Sequence, residues 1–344
     1  MFYSFGSDNH SGVHPAIMEA IEKANSGHAI AYGGDSLSEQ FSEKIKDIFG
    51  ETAEPVIVFN GTGANVVALR AATQSFQSVF APQTGHIVVD ECGSPEFMTG
   101  AAIKTVNSTN GKLTPELLKP LLHGFGNEHH SQPKTVYISQ CTELGTVYTV
   151  EEISTLADFL HRHNMYLYMD GARIANAAVS LGKTLKEITV DCGVDILGFG
   201  GTKNGMMMGE SVIAFRPELA ANLKYIRKQS AQLFSKMRYI ACQFLAYLEN
   251  DLWAENARHA NAMAQLLRRG ISSAGDFEFT QPTDANIILV KMPKSLTDRL
   301  SENHFFYVWN EEINEIRLVT SWDTTEKDIE RFISSFIYNF ARNF

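Results

Sequence analysis

Cysteine is scarce in this chain: Cys92, Cys141, Cys192 and Cys242 are the only four among 344 residues. So few cysteines make no disulfide framework, and none stands in a Cys-x-x-Cys spacing, which argues against structural zinc. Positive charge is also in deficit. Lysine and arginine number 29 against 39 acidic residues, a net charge of −10. That is the wrong sign for a nucleic-acid partner, which is held by a basic face that displaces counterions. No segment approaches the ~18 consecutive apolar residues of a membrane span. The stretch from Met1 to Asp8 has neither the basic start nor the long apolar run of a secretory signal. Internal repeats, low-complexity tracts and long charge runs are missing as well. The expectation is a soluble, acidic, reduced, cytoplasmic protein of enzyme size, with no membrane or nucleic-acid partner and no metal. Domains commonly run ~100–200 residues, so the length suits two.

What is present alternates between helix-like and strand-like pieces. Leu37, Phe41, Ile45 and Ile48 give Ser36 to Phe49 helical spacing. Short apolar runs follow as strands: 55–59, 86–90, 135–139, 166–169 and 196–199, with 209–215 turning back beside the last. Helices are expected at 64–74 and 149–163, the latter capped by Thr149 with acidic residues in its first turn. Strands that are apolar throughout, separated by helices, indicate a parallel sheet covered on both faces. From about 217 to 272 the pattern is helical, with 232–248 and 254–269 the longest pieces. The remainder reads β-β-α-β-β-α, with strands at 285–290, 305–309 and 315–320 and a last helix capped by Thr324 and Thr325. The expected organisation is α/β: a large domain over 1–250 with an N-terminal arm, and a smaller C-terminal domain over 251–344.

Four clusters sit at strand ends, where open α/β sheets place ligands. Asn60-Gly61-Thr62-Gly63-Ala64-Asn65 joins a strand to a helix, which suits a phosphate but is equally a tight turn. It fails as a dinucleotide fingerprint, because Val66 stands where the third glycine belongs. Asp170 closes an apolar strand and is followed by Gly171, Ala172 and Arg173; a buried carboxylate there needs a partner, which a structural Asp–Arg pair would also supply. Lys203 lies among Gly200, Gly201 and Gly205, without a P-loop framework. It is either a surface lysine or an amine placed to condense with a carbonyl. His86 opens its apolar run, and a lone histidine is more often structural. His123, Glu128, His129 and His130 share a polar loop, with no metal-binding motif. Together the parts are more specific: a phosphate turn, an imidazole, a strand-end aspartate and a lysine 33 positions later. Pyridoxal phosphate needs these parts in one site: a helix end for the phosphate, a stacking face, a carboxylate for the pyridine nitrogen and a lysine for the aldehyde.

Read with these motifs, the chain resembles the low-specificity threonine aldolases of the β-eliminating lyase group, pyridoxal phosphate enzymes of the aspartate-aminotransferase fold (fold type I). The matching pieces are Ser7-Asp8, Tyr32-Gly33-Gly34-Asp35, Asn60 to Asn65, His86 to Glu91, Asp170 to Ile174 with Asn176, Thr202-Lys203 and Glu315 to Thr320. The resemblance implies that Lys203 carries the cofactor, Asp170 pairs with its pyridine nitrogen and His86 stacks on its ring. It implies that Gly61, Thr62 and Gly63 hold the phosphate, with Arg173 also beside the cofactor. Arg173 and Arg317 would bind the substrate carboxylate with Ser7 assisting, and a planar guanidinium suits that task. Tyr32, on the substrate side, and Arg238, on the cofactor side, match positions supplied by a neighbouring subunit, so a homodimer or homotetramer is implied.

The implied activity is retro-aldol cleavage of a β-hydroxy-α-amino acid such as threonine to glycine and an aldehyde. His86, His129, His130 or a water would be the base. Alternatives are β-elimination or cleavage of another β-hydroxy amino acid on the same scaffold, a non-enzymatic binding protein, and, least favoured, a nicotinamide oxidoreductase. The chain departs from the family pattern in three places. Ser139-Gln140-Cys141-Thr142-Glu143 stands where many members read Glu-Asn-Thr-His. Phe234 to Arg238 replaces a glycine-rich stretch, making Lys236 a rival to Arg238. Asn204 replaces a glycine after the lysine.

Overall fold

The computed structural model describes residues 4–341. Seven strands form the main sheet: β1 (Glu54–Val58), β2 (Gln77–Pro82), β3 (Ala102–Val106), β4 (Gln132–Ser139), β5 (Tyr166–Gly171), β6 (Ile196–Gly200) and β7 (Glu210–Ala214). Their order is β1-β7-β6-β5-β4-β2-β3. Neighbours from β6 to β3 run parallel, while β7 is antiparallel to both β1 and β6. Alternate residues point to opposite faces of a strand, and here both faces are buried. Ile57, Phe80, Val136, Leu167 and Leu197 join one core, covered by the helices Ser36–Phe49, Val150–Arg162 and Arg238–Leu248. Val58, Val79, Tyr137, Tyr168 and Ile196 join the other, under the helix Gly61–Ala72.

A break at Glu249–Asp251, where Asn250 and Asp251 take φ of 50° and 57°, separates the helix Arg238–Leu248 from the long helix Leu252–Ala274. Beyond it lies a three-stranded antiparallel sheet, β8 (Ile287–Lys291), β9 (Tyr307–Asn310) and β10 (Glu315–Val319), ordered β8-β10-β9. Its core joins Leu267, Ile288, Ile316, Phe332 and Phe336 with Phe5, so the start of the chain packs with its end. The Phe5 N–H donates to Phe305 O (2.8 Å), and Val319 N–H donates to Phe5 O (2.7 Å).

Three sequence expectations are corrected here. The apolar run at 86–90 is not a strand: His86–Val89 is a short helix, with Asp90 N–H donating to His86 O. Its β-branched composition mimics a strand, yet Ile87 is buried and Val89 exposed, and Gly85 starts a turn wedged against the Tyr137 ring. A Cβ at Gly85 would stand 3.1 Å from that ring and 3.0 Å from Pro82 O. The helix expected at 232–248 begins only at Arg238, because Gln232 and Phe234 turn toward Phe59. The C-terminal region has one strand fewer than expected, since Phe279 makes only an isolated bridge to Val290. No helix among the described residues is long and apolar enough to cross a membrane.

Candidate active site

Of the expected residues, His86, Asp170, Arg173, Lys203 and Arg317 lie near one another around the C-terminal ends of β4, β5 and β6, whereas Tyr32 and Arg238 do not. Register sets Ser139 beside Asp170 and Asp170 beside Gly198. Asp170 Oδ1 accepts from Ala172 N–H (2.9 Å) and Oδ2 from the Tyr137 hydroxyl (3.0 Å). After β6 the chain turns through Thr202–Asn204 in a single 3₁₀ turn that carries Lys203. Gly200 lets the backbone pass close by, for a Cβ there would stand 2.7 Å from Ala172 Cα and 2.8 Å from Glu210 Oε2. Asn204 anchors this turn: its Nδ2 donates to the Tyr247 hydroxyl and to Trp253 O, each at 2.8 Å. That gives the family departure at this position a structural purpose.

Burial and the neighbouring Arg173 guanidinium pull the Lys203 amine below its ordinary value, while Asp8, Asp170 and Glu210 oppose them. Burial likewise pushes the Glu210 carboxyl up to about 7, offset in part by Thr202 and Lys203. The lysine is therefore easier to deprotonate than one in water, which is what a nucleophilic amine requires.

Asn60 caps the helix Gly61–Ala72, its Oδ1 accepting from Gly63 N–H at 2.7 Å. The amides of Gly61 and Thr62 take no hydrogen-bond acceptor among the described residues. Two free amides at a helix N-terminus, which carries roughly half a positive charge, suit a phosphate. His86 sits across from this turn. Glu91 Oε1 lies 2.8 Å from His86 Nδ1 and also accepts from Asn65 Nδ2 (2.8 Å). The Glu91 hydrogen bond raises the pKa of the imidazole, against the effect of burial.

Arg173 is held by Asp8 in a fork, Nε to Oδ2 at 2.6 Å and Nη2 to Oδ1 at 2.8 Å. Asn286 Nδ2 adds a third donor to Asp8 (3.0 Å). Burial pushes the Asp8 carboxyl up, but Arg173 more than offsets this and leaves it below the usual carboxylate range. Arg317, on β10, has a buried Nε with no hydrogen-bond partner, and its guanidinium lies 4.9 Å from the Trp309 ring centroid. Burial and the nearby Arg173 pull Arg317 down to about 10. Ser7 caps the 3₁₀ turn that carries Asp8.

Tyr32 and Arg238 belong to a separate surface patch. Tyr32 is 55% exposed with φ of 61°, and its N–H donates to Ser235 O (2.8 Å). Arg238 Nη1 donates to Ser26 O and Gly27 O, each at 3.4 Å. His129 and His130 are exposed in a loop fastened to itself through Gln132, whose Nε2 donates to Gly124 O, Asn127 O and His130 O. Among the described residues no group of three or more acidic, histidine or cysteine side chains is placed to hold a metal.

Sequence reasoning assigned no role to four of these groups: Asp8 as the partner of Arg173, Tyr137, Glu143 and Glu210. Asp8, Glu143 and Glu210 are acids buried near the two arginines or the lysine. The signal available was the need of any buried arginine or lysine for a counter-charge.

The donor set fits pyridoxal phosphate: two free amides at a helix end, an imidazole, a strand-end carboxylate and a lysine of lowered pKa lie together. The comparisons agree. Over 323 residues the chain is 38% identical to a low specificity L-threonine aldolase of Pseudomonas sp. (strain NCIMB 10558), covering 94% of this chain and 93% of that one. The solved structure of Leishmania major threonine aldolase matches with a TM-score of 0.92 at 30% identity, over 97% and 98% of the two chains. Aspartate aminotransferase of Thermus thermophilus matches with a TM-score of 0.71 over 98% and 91%, at 14% identity, a likeness of fold alone. The family described as beta-eliminating lyase matches residues 4–294. The chain thus belongs to the beta-eliminating lyase family, on the fold of the type I pyridoxal phosphate enzymes.

Proposed function

We propose that this protein is an aldolase that cleaves threonine and related β-hydroxy-α-amino acids to glycine and an aldehyde. The observation that carries the reading is the buried Lys203, its amine lowered by burial and by Arg173 and facing Asp170, with Arg317 near Arg173 keeping an unpartnered buried Nε. The names of the Pseudomonas and Leishmania relatives support the substrate class. Pyridoxal phosphate supplies an electron sink for the carbanion left at Cα when the Cα–Cβ bond breaks.

The chain's own residues do the rest. Lys203 Nζ would hold the cofactor through its aldehyde. Asp170, fixed by Ala172 and Tyr137, would keep the pyridine nitrogen protonated. The free amides of Gly61 and Thr62 would hold the phosphate, while the Gly63 N–H is engaged by Asn60 Oδ1. The substrate carboxylate falls chiefly to Arg317, because Arg173 has given two of its N–H groups to Asp8. Arg173 and Ser7 close the carboxylate site from the side. Glu91 occupies His86 Nδ1, which leaves Nε2 to take the β-hydroxyl proton. Such general-base help is worth ~10²–10⁴-fold.

Tyr32 and Arg238, on their shared exposed patch, serve the site of a neighbouring subunit in a homodimer or homotetramer. The exposure of Tyr32, in a left-handed backbone conformation rare for a bulky residue, supports this. Four free cysteines support a reducing, cytoplasmic setting. NMR of the protein loaded with pyridoxal phosphate tests the activity. Glycine and acetaldehyde should appear together from L-threonine or L-allo-threonine. Pyruvate and ammonia from serine- or cysteine-like substrates, without aldol cleavage, would replace the reading with β-elimination.

A further inference from the structure

A continuous line of oxygens leads away from Asp170. Asp170 Oδ2 lies 3.0 Å from the Tyr137 hydroxyl, which lies 2.9 Å from Ser139 Oγ, which lies 2.6 Å from Glu143 Oε1. Glu143 is buried, its Oε1 also accepts from the His86 N–H (2.9 Å), and its Oε2 has no partner. The hydrogens on this line can be counted. Three contacts need three hydrogens, and the two hydroxyls supply two. With Asp170 ionised beside Lys203 and the Ala172 N–H, an ionised Glu143 would leave one contact as two oxygens facing each other without a hydrogen. If Glu143 is neutral, it donates to Ser139, Ser139 to Tyr137 and Tyr137 to Asp170. Every contact is then filled, in one direction. A buried carboxylate with an unpartnered oxygen is costly, whereas a neutral carbonyl oxygen there costs much less.

We propose that Glu143 is carried as a neutral acid and acts as a positioning residue, aligning Ser139 and Tyr137 so that the tyrosine donates to Asp170. The part of this that concerns the cofactor rests on the function proposed above. The charged groups around Glu143 are Arg173 and Arg317 on one side and Asp170 and His86 on the other, with Tyr137, Tyr148 and Cys141 as neutral neighbours. Burial outweighs the hydrogen bonds it accepts, and its carboxyl stays above the usual range of ~4.3. Glutamine at position 143 keeps a donor for Ser139; alanine removes it. Without the aligned donor, Asp170 becomes more basic and competes for the proton on the pyridine nitrogen.

Two measurements test the proposal. Infrared spectroscopy of the cofactor-free protein near neutral pH should show the carbonyl stretch of a protonated carboxylic acid. Glu210, pushed up to about 7, adds to the same band, so the comparison is made in a Glu210→Gln background: the band should move on carbon-isotope labelling of glutamate and vanish when Glu143→Gln is added. Lack of the band in that background, or its survival in the double variant, would overturn the neutral acid whatever the cofactor proves to be. The second measurement is the NMR signal of isotope-labelled pyridine nitrogen in the loaded protein. Ser139→Ala and Glu143→Ala should move it toward the unprotonated position at a given pH, as a titration shifted by about one pH unit or more, the scale of one hydrogen bond to a charged group. Glu143→Gln should keep the wild-type position. Wild-type titration in Ser139→Ala and Glu143→Ala would refute the alignment. A wild-type protein that binds no pyridoxal phosphate would sink the cofactor reading and the alignment role, and leave the infrared result standing.

Discussion

Arg173 shows how a single residue changes meaning once its surroundings are known. From its place after Asp170 it reads as a carboxylate binder, with Asp170 as a possible structural partner. The structure gives it Asp8 instead, 165 positions away, in a two-point fork. No local pattern signals a partner at that distance, and the exposed-looking start of the chain conceals that Asp8 is buried. Replacing Asp8 by Ala leaves a buried guanidinium without its counter-charge. The expected cost is about 3–5 kcal/mol of stability, read as a lowered denaturant midpoint. The pH dependence follows from the lowered carboxyl. The pair's stabilisation is present above the unfolded aspartate value of ~3.9 and is lost as pH falls through the still lower folded value. Asp8→Ala should flatten that acid limb.

At the scale of elements, what local chemistry dictates was legible. The helix Ser36–Phe49 has the bounds its periodicity indicates. The helix Val150–Arg162 begins at a capping box, with Thr149 accepting from Glu152 N–H and Glu152 accepting from Thr149 N–H. Thr149→Ala should cost roughly 1 kcal/mol in urea denaturation and leave the site intact. Elements decided by distant neighbours were not legible. The run at 86–90 has strand composition but is bent into a helix by Gly85 and Tyr137. β2 and β3 went unmarked because Gln77-Ser78 and Lys104-Thr105 interrupt their apolar character. The site was legible in its motifs: Lys203, Asp170, His86 and the turn at Asn60. Its acids were not, because Glu143 and Glu210 acquire their chemistry from burial.

For the molecule as a whole, the patch that joins 25–34 to 228–239 is the feature with the widest reach. If Tyr32 and Arg238 serve a neighbour, two inactive variants can repair one another. Lys203→Ala and Arg238→Ala, each without activity, should regain aldol cleavage when unfolded and refolded together, since a mixed pair holds one site with both residues. Measurement of glycine release before and after mixing decides it; no recovery at any ratio means that each subunit completes its own site.

The seating of Phe5 and Asp8 has a consequence for synthesis. Phe5 is bonded on both sides by Phe305 and Val319, Asp8 takes Asn286, and Gly12 N–H donates to Asp323 Oδ2 (3.3 Å) across 311 positions. These residues leave the ribosome well before their partners, which follow them by hundreds of positions. The sheet with Asp170 and Lys203 can therefore collapse while Arg173 still lacks its carboxylate, so the nascent chain holds a large domain before it holds a finished site.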